Sequence, residues 1–466
     1  MNTNQIISKP LTYFALPLII FLEGFVSIAI EILTIRQLLP VAGGSVIVTS
    51  LIIGVFLLFL AWGYRTGGRI KQYLPQSLRR NFMIAASLLG IGLSYPFISL
   101  FFYVTQKIMG VHIIYPLISY LLFILAPLIY LLGQTVPITM NMAKQNQSVG
   151  MIGGDTLSVS TLGSFLGAIL TTLLFMHYFG VAWTLFINVL CLLLLSFLLM
   201  ERNSTFIFQI LFSFIAILFI YTINIDMENK LFTLTNNYAN YQIWDRRQTL
   251  PGKETFLQIN DSPSSFINEK KQGYPYIERI KKILFQELHL RNADILVLGA
   301  GGFTLSAENN YHNQITYVDI DKQIKNISIP KFISKLNGEF IADDARHYLI
   351  TTKKRYQAIV VDVYSNTRTI PAHLLTSEYI QSIQNKLLPE GTVIFNMIAK
   401  PTLSDLYSKR IDNTIRMIFK NCMVIPLAYS DHLTNILYVC HHTANQIEQT
   451  IYTDNRNHST TDSFDW

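Results

Sequence analysis

The first half of the chain holds seven apolar windows, and these limit its possible folds more than any other feature. Each window has about 20 residues, the length that a helix needs to cross a bilayer. The windows cover residues 12–33, 45–63, 82–104, 113–133, 157–178, 181–200 and 206–225. Because 51% of all residues are hydrophobic, the sequence predicts a multi-span helical transmembrane domain over residues 1–225.

The loop after the second window predicts which side of the membrane it faces. It carries five cations and no acidic residue: Arg65, Arg69, Lys71, Arg79 and Arg80. Such a loop is expected on the cytoplasmic side. Seven crossings counted from there would place the residues after Ile225 outside the cell. Three explanations stay open: one window does not span, a further crossing is hidden, or the charge rule fails for this loop.

Two carboxylates lie within the first window, which is too long for a cleavable signal peptide. Glu23 and Glu31 are ionisable groups at membrane depth and are therefore candidates for a site that attracts a cationic molecule. The alternative is partnership inside the bundle with Arg36, or with Gln134 and Thr135. In the fifth window, Gly163 and Gly167 form a small-xxx-small pair, which is typical of close helix packing.

The cysteines and the net charge indicate which classes of protein to set aside. Cys191, Cys422 and Cys440 have no CxxC or zinc spacing, so neither a disulfide framework nor a metal site is predicted. A net charge of +7 fits basic residues at a membrane surface. The chain has no basic and aromatic stripe of the kind that binds nucleic acid.

A second composition begins after residue 225. Residues 226–265 are predicted to form a connector and a β-hairpin, with strands near 241–244 and 255–259. Residues 266–441 are predicted to form an α/β Rossmann-like domain of the methyltransferase type, and the polar residues 442–466 a disordered tail. Strands are predicted over 295–299, 315–319, 339–342, 358–362 and 392–397, helices over 345–352, 375–387 and 403–419, and an edge hairpin near 421–427 and 434–440.

A glycine run followed by an acidic residue indicates a nucleoside site. Gly299 and Gly301 follow the first predicted strand and allow a ligand to approach the backbone closely, while Asp319 lies at the distance expected for a ribose-binding carboxylate. The third glycine of a pyrophosphate loop is missing, because Leu305 follows Thr304. The pattern therefore favours an adenosyl cofactor without phosphates.

Acidic residues also end the neighbouring strands. Ligands of open α/β sheets bind beyond the carboxyl ends of the strands, where the sequence places Asp319, Asp321, Asp343, Asp344 and Asp362. Asp344 is expected to accept a hydrogen bond from an adenine amino group, to cap the next helix, or both. Asp362 ends a fully apolar strand and is expected to accept a proton from an attacking amine.

In this order the motifs resemble the spermidine synthase (polyamine aminopropyltransferase) family, over roughly residues 240–400. The motifs are Tyr241-Gln242, Tyr276-Ile277-Glu278, Leu298-Gly299-Ala300-Gly301-Gly302, Val318-Asp319-Ile320-Asp321, Asp343-Asp344-Ala345-Arg346 and Val361-Asp362-Val363-Tyr364. The first half resembles the helical domain fused to many bacterial members, at Glu23-Gly24-Phe25, Glu31-Ile32-Leu33-Thr34-Ile35-Arg36 and Gly133-Gln134-Thr135-Val136-Pro137. A multi-pass protein of the bacterial inner membrane is therefore expected, with a cytoplasmic catalytic domain.

The resemblance implies a role for each matching residue. Asp319 would hold the ribose hydroxyls, Asp344 and Ala345 the adenine, and Asp362 would be the base. The substrate side would be formed by Gln242, Tyr276, Tyr364 and Ser365, with residues 364–374 as a flexible loop. The implied reaction moves an aminopropyl group from decarboxylated S-adenosylmethionine to a polyamine or another amine, without a metal. Family members often dimerise, so a homodimer is also expected.

Two positions depart from the family pattern. Gly302 and Ser365 stand where the family has aspartates that hold the donor's amine and the incoming diamine. Each charge-assisted hydrogen bond contributes about 1.5–3 kcal/mol, so weaker binding of an ordinary diamine is expected. Two alternatives to aminopropyl transfer stay open: a methyltransferase that uses S-adenosylmethionine, and a nucleoside-binding transporter or sensor without catalysis.

Overall fold

The computed structural model describes residues 10–143, 148–200, 206–248, 252–307, 312–333, 335–364, 370–441, 453–454 and 459. It divides into two compact units. The helical unit comprises residues 1–42, 47–231 and 235–237, and the α/β unit comprises residues 43–46, 232–234 and 238–466.

The helical unit consists of eleven described helices joined by short turns, five of which widen into π-helical turns. The helices are α1 Pro10–Ala42, α2 Val46–Gly67, α3 Leu74–Ser87, α4 Tyr95–Phe102, α5 Ile114–Tyr120, α6 Ala126–Gly133, α7 Thr135–Met142, α8 Val149–Ile169, α9 Met176–Leu198, α10 Phe206–Tyr221 and α11 Met227–Leu231. Four helical stretches of the described residues are long and apolar enough to cross a membrane, namely Ala15–Ala42, Val46–Gly67, Ile114–Met142 and Val149–Leu198. A fifth results if the bent pair Leu74–Gly92 and Tyr95–Ile108 counts as one span.

The longest stretch, Val149–Leu198, joins two of the predicted windows. At about 1.5 Å per residue, its 50 residues far exceed a hydrocarbon core of about 30 Å. Gly180 interrupts it with φ 84° and ψ 180°, a left-handed conformation that glycine adopts without steric cost. The break lies where the sequence separates the windows 157–178 and 181–200.

Helices α1 and α8 contact each other backbone to backbone. A Cβ added to Gly163 would lie 2.1 Å from the carbonyl oxygen of Phe21, and one added to Gly167 would lie 2.4 Å from that of Phe25. From the opposite side, a Cβ on Gly24 would lie 2.2 Å from the oxygen of Ser160. The predicted packing role of the glycine pair is confirmed.

Glu23 is buried within α1, with only 3% of its surface exposed. Its carboxylate accepts a hydrogen bond from Ser27 Oγ at 2.7 Å. The partners predicted from the sequence have other contacts: Arg36 Nε donates to the Asn236 carbonyl, and Gln134 Oε1 accepts from Asn81. Glu31 is only partly buried.

The α/β unit contains two sheets. The smaller has the order β1-β2-β3-β4, and the larger, with seven strands, has the order β10-β11-β9-β8-β5-β6-β7. The strands are β1 Leu234–Thr235, β2 Asn240–Gln248, β3 Gly252–Ile259, β4 Ser262–Asn268, β5 Asp294–Leu298, β6 Gln314–Asp319, β7 Gly338–Ala342, β8 Tyr356–Val361, β9 Leu387–Ala399, β10 Asn421–Pro426 and β11 Thr434–His441. The helices are α12 Pro275–Lys281, α13 Ile324–Phe332, α14 Ala345–Thr351, α15 Ser377–Gln384 and α16 Leu406–Ile418.

The predicted Rossmann-like fold is confirmed. Strands β5 to β9 pair in parallel, and β11 pairs antiparallel with both β9 and β10, which forms the predicted edge hairpin. Fully apolar runs such as Ile295–Leu298 and Ala358–Val361 are buried because helices cover both faces of the sheet.

The predicted N-terminal hairpin is half of a larger element. Its two strands match β2 and β3, but β4 continues the meander and β1 adds to the other edge. The sequence prediction missed β4 because Pro263 lacks the N–H that a central strand needs. Proline is tolerated here because β4 is an edge strand and the register shifts at Leu257/Gln258, beside the pairing of Pro263 with Gln258.

The prediction that the cysteines form no disulfide is wrong. Cys422 on β10 and Cys440 on β11 lie directly opposite each other in the antiparallel register and are joined by a disulfide. The two residues are 18 positions apart, and only the strand pairing brings them together. The bond ties the edge strand β10 to the sheet.

Replacing both Cys422 and Cys440 with serine is expected to lower the free energy of unfolding of the α/β unit by about 2–4 kcal/mol. The physical reason is that the unfolded chain gains the freedom that the cross-link removes. Denaturant unfolding of the full chain in detergent, followed by tyrosine and tryptophan fluorescence, measures this change. Cys191→Ser, in α9, is the control and should leave that transition in place; an unchanged midpoint in the double variant would contradict the prediction.

Candidate active site

The candidate site lies at the carboxyl ends of the central strands of the large sheet. The chain order reverses between β5 and β8, since β6 and β7 lie on one side and β9 on the other. Such a switch point leaves a crevice between the loops that follow the two strands. The loops after β5 and β8 line a cavity of about 490 Å³, within the range of small-molecule sites.

The glycine loop after β5 forms the floor of the cavity. Gly299 has φ 94°, and a Cβ added to it would lie 2.1 Å from the carbonyl oxygen of Asp362. Gly301 has φ 48° and packs against the hydroxyls of Ser264 and Ser265. Glycine is required at Gly299 by both conformation and space, and both glycines line the cavity.

Asp319 holds the glycine loop from the end of β6. One carboxylate oxygen accepts the N–H of Ala300 at 2.9 Å, and the other accepts the N–H of Asp321 at 3.0 Å. Each oxygen has a second lone pair, so hydroxyls of a ribose in the cavity can donate to it. Burial raises the pKa of Asp319 to about 6, against the two backbone hydrogen bonds that lower it.

Asp319→Asn is expected to weaken the binding of methylthioadenosine by about 10- to 100-fold, because a hydrogen bond to a charged acceptor contributes about 1.5–3 kcal/mol. Isothermal titration calorimetry at pH 8 measures the dissociation constant. The carboxylate protonates as the pH falls through about 6, so the wild-type constant should rise towards that of the variant there. Equal affinities at pH 8 would contradict the ribose role.

The neighbouring Asp321 has a structural role in the described part of the chain. It is 1% exposed, accepts a hydrogen bond from Tyr241 Oη at 2.6 Å and another from the N–H of Gln323. It does not line the cavity. Of these two carboxylates at the end of β6, Asp319 is therefore the one that faces the cavity.

Asp344 lies at the start of α14, at the β7 side of the cavity. One carboxylate oxygen caps the helix by accepting the N–H groups of Arg346 and His347. The other is 3.0 Å from His373 Nε2, and Ala345 lines the cavity beside it. Asp344 can cap the helix and also bind an adenine amino group if that group shares the second carboxylate oxygen with His373.

Asp362 ends β8 at the centre of the cavity. Tyr276 Oη donates to one carboxylate oxygen at 3.0 Å, and Asn396 Nδ2 donates to the other at 2.9 Å. Asn435 Nδ2 donates in turn to Asn396 Oδ1 at 2.9 Å, which fixes the orientation of the Asn396 amide. Burial raises the pKa of Asp362 although both hydrogen bonds lower it, and a raised pKa makes a carboxylate a better proton acceptor.

Gly302 shows why an aspartate is absent from the loop. Its N–H donates to Ser265 Oγ at 2.8 Å. A Cβ at this position would lie 2.8 Å from the Cβ of Ser265 and 2.9 Å from Phe332 Cδ1. A carboxylate side chain therefore does not fit here without displacement of β4 or α13.

The remaining predicted substrate residues are not all brought together. Tyr276 and Tyr364 line the cavity, and Tyr364 Oη accepts the N–H of Ile398 and donates to the carbonyl of Asn396. Gln242 lies on β2 opposite Gln258 and is not among the described residues that line the cavity. Ser365 lies outside the described residues, as do residues 366–369.

Three side chains of the site escaped the sequence analysis. Asn396 ends an apolar stretch of β9 beside Asp362, so the strand-end rule extended by one strand would have found it. His373 is close to Asp344 only through the fold of the chain between β8 and α15. Tyr274 lines the cavity and stacks on Tyr276 with 6.4 Å between ring centroids.

Comparison with known proteins identifies this part of the chain. Residues 276–448 match the family model of the spermine/spermidine synthase domain. Over these residues, which are less than half of the chain, the sequence resembles the spermine/spermidine synthase family. The matched residues run from Tyr276 past the end of β11, so the synthase domain includes the glycine loop, Asp319, Asp344 and Asp362.

Similar proteins carry related names. A probable polyamine aminopropyl transferase of Bifidobacterium longum is 26% identical over 131 residues, 28% of this chain and 29% of that protein, so less than a third of its length is matched. Polyamine aminopropyltransferase 2 of Aquifex aeolicus is 22% identical over 411 residues, 82% of this chain and 78% of that protein. A probable spermidine synthase structure from Corynebacterium glutamicum is 21% identical, with a TM-score of 0.39 over 44% of this chain and 78% of that one.

Proposed function

We propose that the chain is a membrane-anchored aminopropyltransferase that transfers an aminopropyl group from decarboxylated S-adenosylmethionine to an amine. The proposal rests on the position of Asp362. It lines the same cavity as Asp319 and Asp344, and two neutral donors, Tyr276 and Asn396, hydrogen-bond to its carboxylate. The four candidate spans supply the anchor. The α/β unit is proposed to face the cytoplasm of a bacterium.

The residues divide the work between binding and proton transfer. Asp319 would bind the ribose, and Asp344 with Ala345 would bind the adenine. When bound, the donor supplies a sulfonium whose adjacent carbon is electrophilic. Asp362 accepts the proton of the acceptor's ammonium, while Tyr276 and Asn396 keep its carboxylate oriented. The cavity thus contributes alignment and a base, which suffices for a displacement at an activated carbon.

The test is mass spectrometry of the full-length protein in detergent after incubation with an amine panel and either decarboxylated or ordinary S-adenosylmethionine. Release of methylthioadenosine with a mass increase on the amine is the expected result. Release of S-adenosylhomocysteine would favour a methyltransferase instead. Binding of methylthioadenosine without turnover of either donor would favour a nucleoside-binding transporter or sensor, and would overturn the proposal.

A further inference from the structure

Among the described residues, Asp362 is the one acidic side chain at the acceptor end of the cavity. The nucleoside residues lie over β5, β6 and β7, which leaves the acceptor the space over β8, β9 and the edge hairpin. There the cavity is lined by Asn396, Ile398, Leu427, Thr434 and Asn435, which we call the acceptor wall. The acidic side chains that line the described cavity are Asp319, Asp344 and Asp362, and Asp362 alone adjoins this wall, through Asn396.

The segment after β8 cannot supply a second carboxylate either. Its sequence from residue 365 to residue 369 is Ser-Asn-Thr-Arg-Thr, which contains a cation and no acid. A diamine brings two ammonium groups into the site, and Asp362 can neutralise one of them. A buried ammonium without a partner is strongly unfavourable.

Aromatic rings replace charge on the other side of the acceptor end. A row of aromatic rings begins at Tyr276, which is hydrogen-bonded to Asp362, and passes to Tyr274. It continues across the small sheet through cross-strand neighbours. The centroid distances are 6.4 Å for Tyr274–Tyr276, 5.5 Å for Phe266–Tyr274, 5.0 Å for Phe256–Phe266 and 5.4 Å for Trp244–Phe256. Trp244 at the far end of the row is 39% exposed, and Arg246 lies over the Phe256 ring at 5.5 Å. The part of the row that lines the cavity is Tyr274 with Tyr276.

We infer that the acceptor is a primary monoamine with an apolar or aromatic tail, whose amine meets Asp362 and whose tail lies against the acceptor wall and Tyr274. The inference rests on the proposed function. In the reaction, Asp362 takes one proton from the ammonium, and the freed lone pair forms the new N–C bond to the aminopropyl carbon. The C–S bond breaks with its electron pair remaining on sulfur, which leaves methylthioadenosine.

The first test compares amines of equal length that differ by one ammonium group, with the full-length protein and decarboxylated S-adenosylmethionine. The pairs are butylamine with 1,4-diaminobutane and hexylamine with 1,6-diaminohexane. The kcat/KM for methylthioadenosine release should be higher for each monoamine by about tenfold or more, a difference of about 1.4 kcal/mol. A preference for the diamines would overturn the inference and leave the proposed function standing. No methylthioadenosine with any amine would overturn both.

Asn435 allows the charge of the acceptor wall to be changed at nearly constant shape. Asn435→Asp adds a carboxylate and should shift the monoamine-to-diamine ratio of kcat/KM towards the diamine by about tenfold. Asn435→Ser loses the same hydrogen bond to Asn396 without adding charge, so it should slow both amines and leave the ratio unchanged. An equal shift of the ratio in both variants would overturn the charge argument.

Substitution of Tyr274 tests the proposed contact with the tail of the acceptor. Tyr274→Ala should lower kcat/KM for phenethylamine by about tenfold or more and leave methylamine, which has no tail to stack, much less affected. An equal loss with both amines would show that Tyr274 only supports the fold and would overturn the tail contact.

Discussion

Replacing Asp362 with asparagine is expected to lower kcat for methylthioadenosine release by about 10²- to 10⁴-fold, the usual contribution of a general base. Asparagine keeps the shape of the side chain but has no lone pair basic enough to take the proton of an ammonium. It also brings an amide NH₂ against Tyr276 and Asn396, both of which donate to the carboxylate in the native site.

Single-turnover measurement with decarboxylated S-adenosylmethionine separates this effect from binding. Methylthioadenosine affinity should change little, because the proposed nucleoside contacts are those of Asp319 and Asp344. Asp343→Asn is the matched control: this carboxylate also follows a strand, but it pairs with His347 and does not line the described cavity. Full activity in the Asp362 variant would mean that another group takes the proton.

The pH profile gives an independent check on the same residue. Burial raises the pKa of Asp362 above its ordinary value, and the base works only in its deprotonated form. The kcat/KM should therefore fall as the pH decreases through this raised pKa, and its acidic limb should lie higher than that of an exposed carboxylate. The residual activity of Asp362→Asn should lack this limb.

Gly299→Ala is expected to disrupt both the fold and the site. The left-handed backbone at φ 94° costs about 1–3 kcal/mol for a residue with a side chain. The added methyl would lie 2.1 Å from the backbone oxygen of Asp362, so the ends of β5 and β8 must separate. Because that oxygen belongs to Asp362, the proposed base, turnover should be lost together with methylthioadenosine binding.

Thermal unfolding and ligand binding of the full chain in detergent measure the two effects of Gly299→Ala. Gly273→Ala is the control, because Gly273 has no left-handed φ and its nearest contact is a side-chain methyl, Ile277 Cγ2 at 3.1 Å, rather than backbone at 2.1 Å. It should lower the melting temperature far less and retain binding. Native-like binding in Gly299→Ala would show that the loop tolerates a side chain and would contradict the predicted clash with the Asp362 carbonyl oxygen.

The parallel strands were predictable because their burial leaves a direct mark on the sequence. β5 and β8 contain the apolar runs Ile295–Leu298 and Ala358–Val361, which glycine and aspartate follow, and the predicted bounds of these two strands differ from the observed ones by one or two residues. The residues at the carboxyl ends of β5, β6, β7 and β8 were predicted to be neighbours for the same reason. Those that line one cavity are Gly299, Asp319, Asp344 and Asp362.

Other features depend on tertiary contacts that leave no local pattern. The α13 helix went unnoticed because Pro330 stands inside it, where proline normally ends a helix. The disulfide depends on the register of β10 and β11. The contact of His373 with Asp344, across 29 positions, and the position of Gln242 away from the cavity both follow from how loops and sheets pack.

The glycine contacts between α1 and α8 restrict how the helical unit can move. Gly24, Gly163 and Gly167 leave no gap into which a side chain could rotate, so the two helices can neither slide nor turn past each other without a backbone collision. We therefore expect the two helices to move together. A conformational change of the helical unit would therefore move α1 and α8 as a pair. The buried Glu23 would move with that pair and would not reorient independently of it.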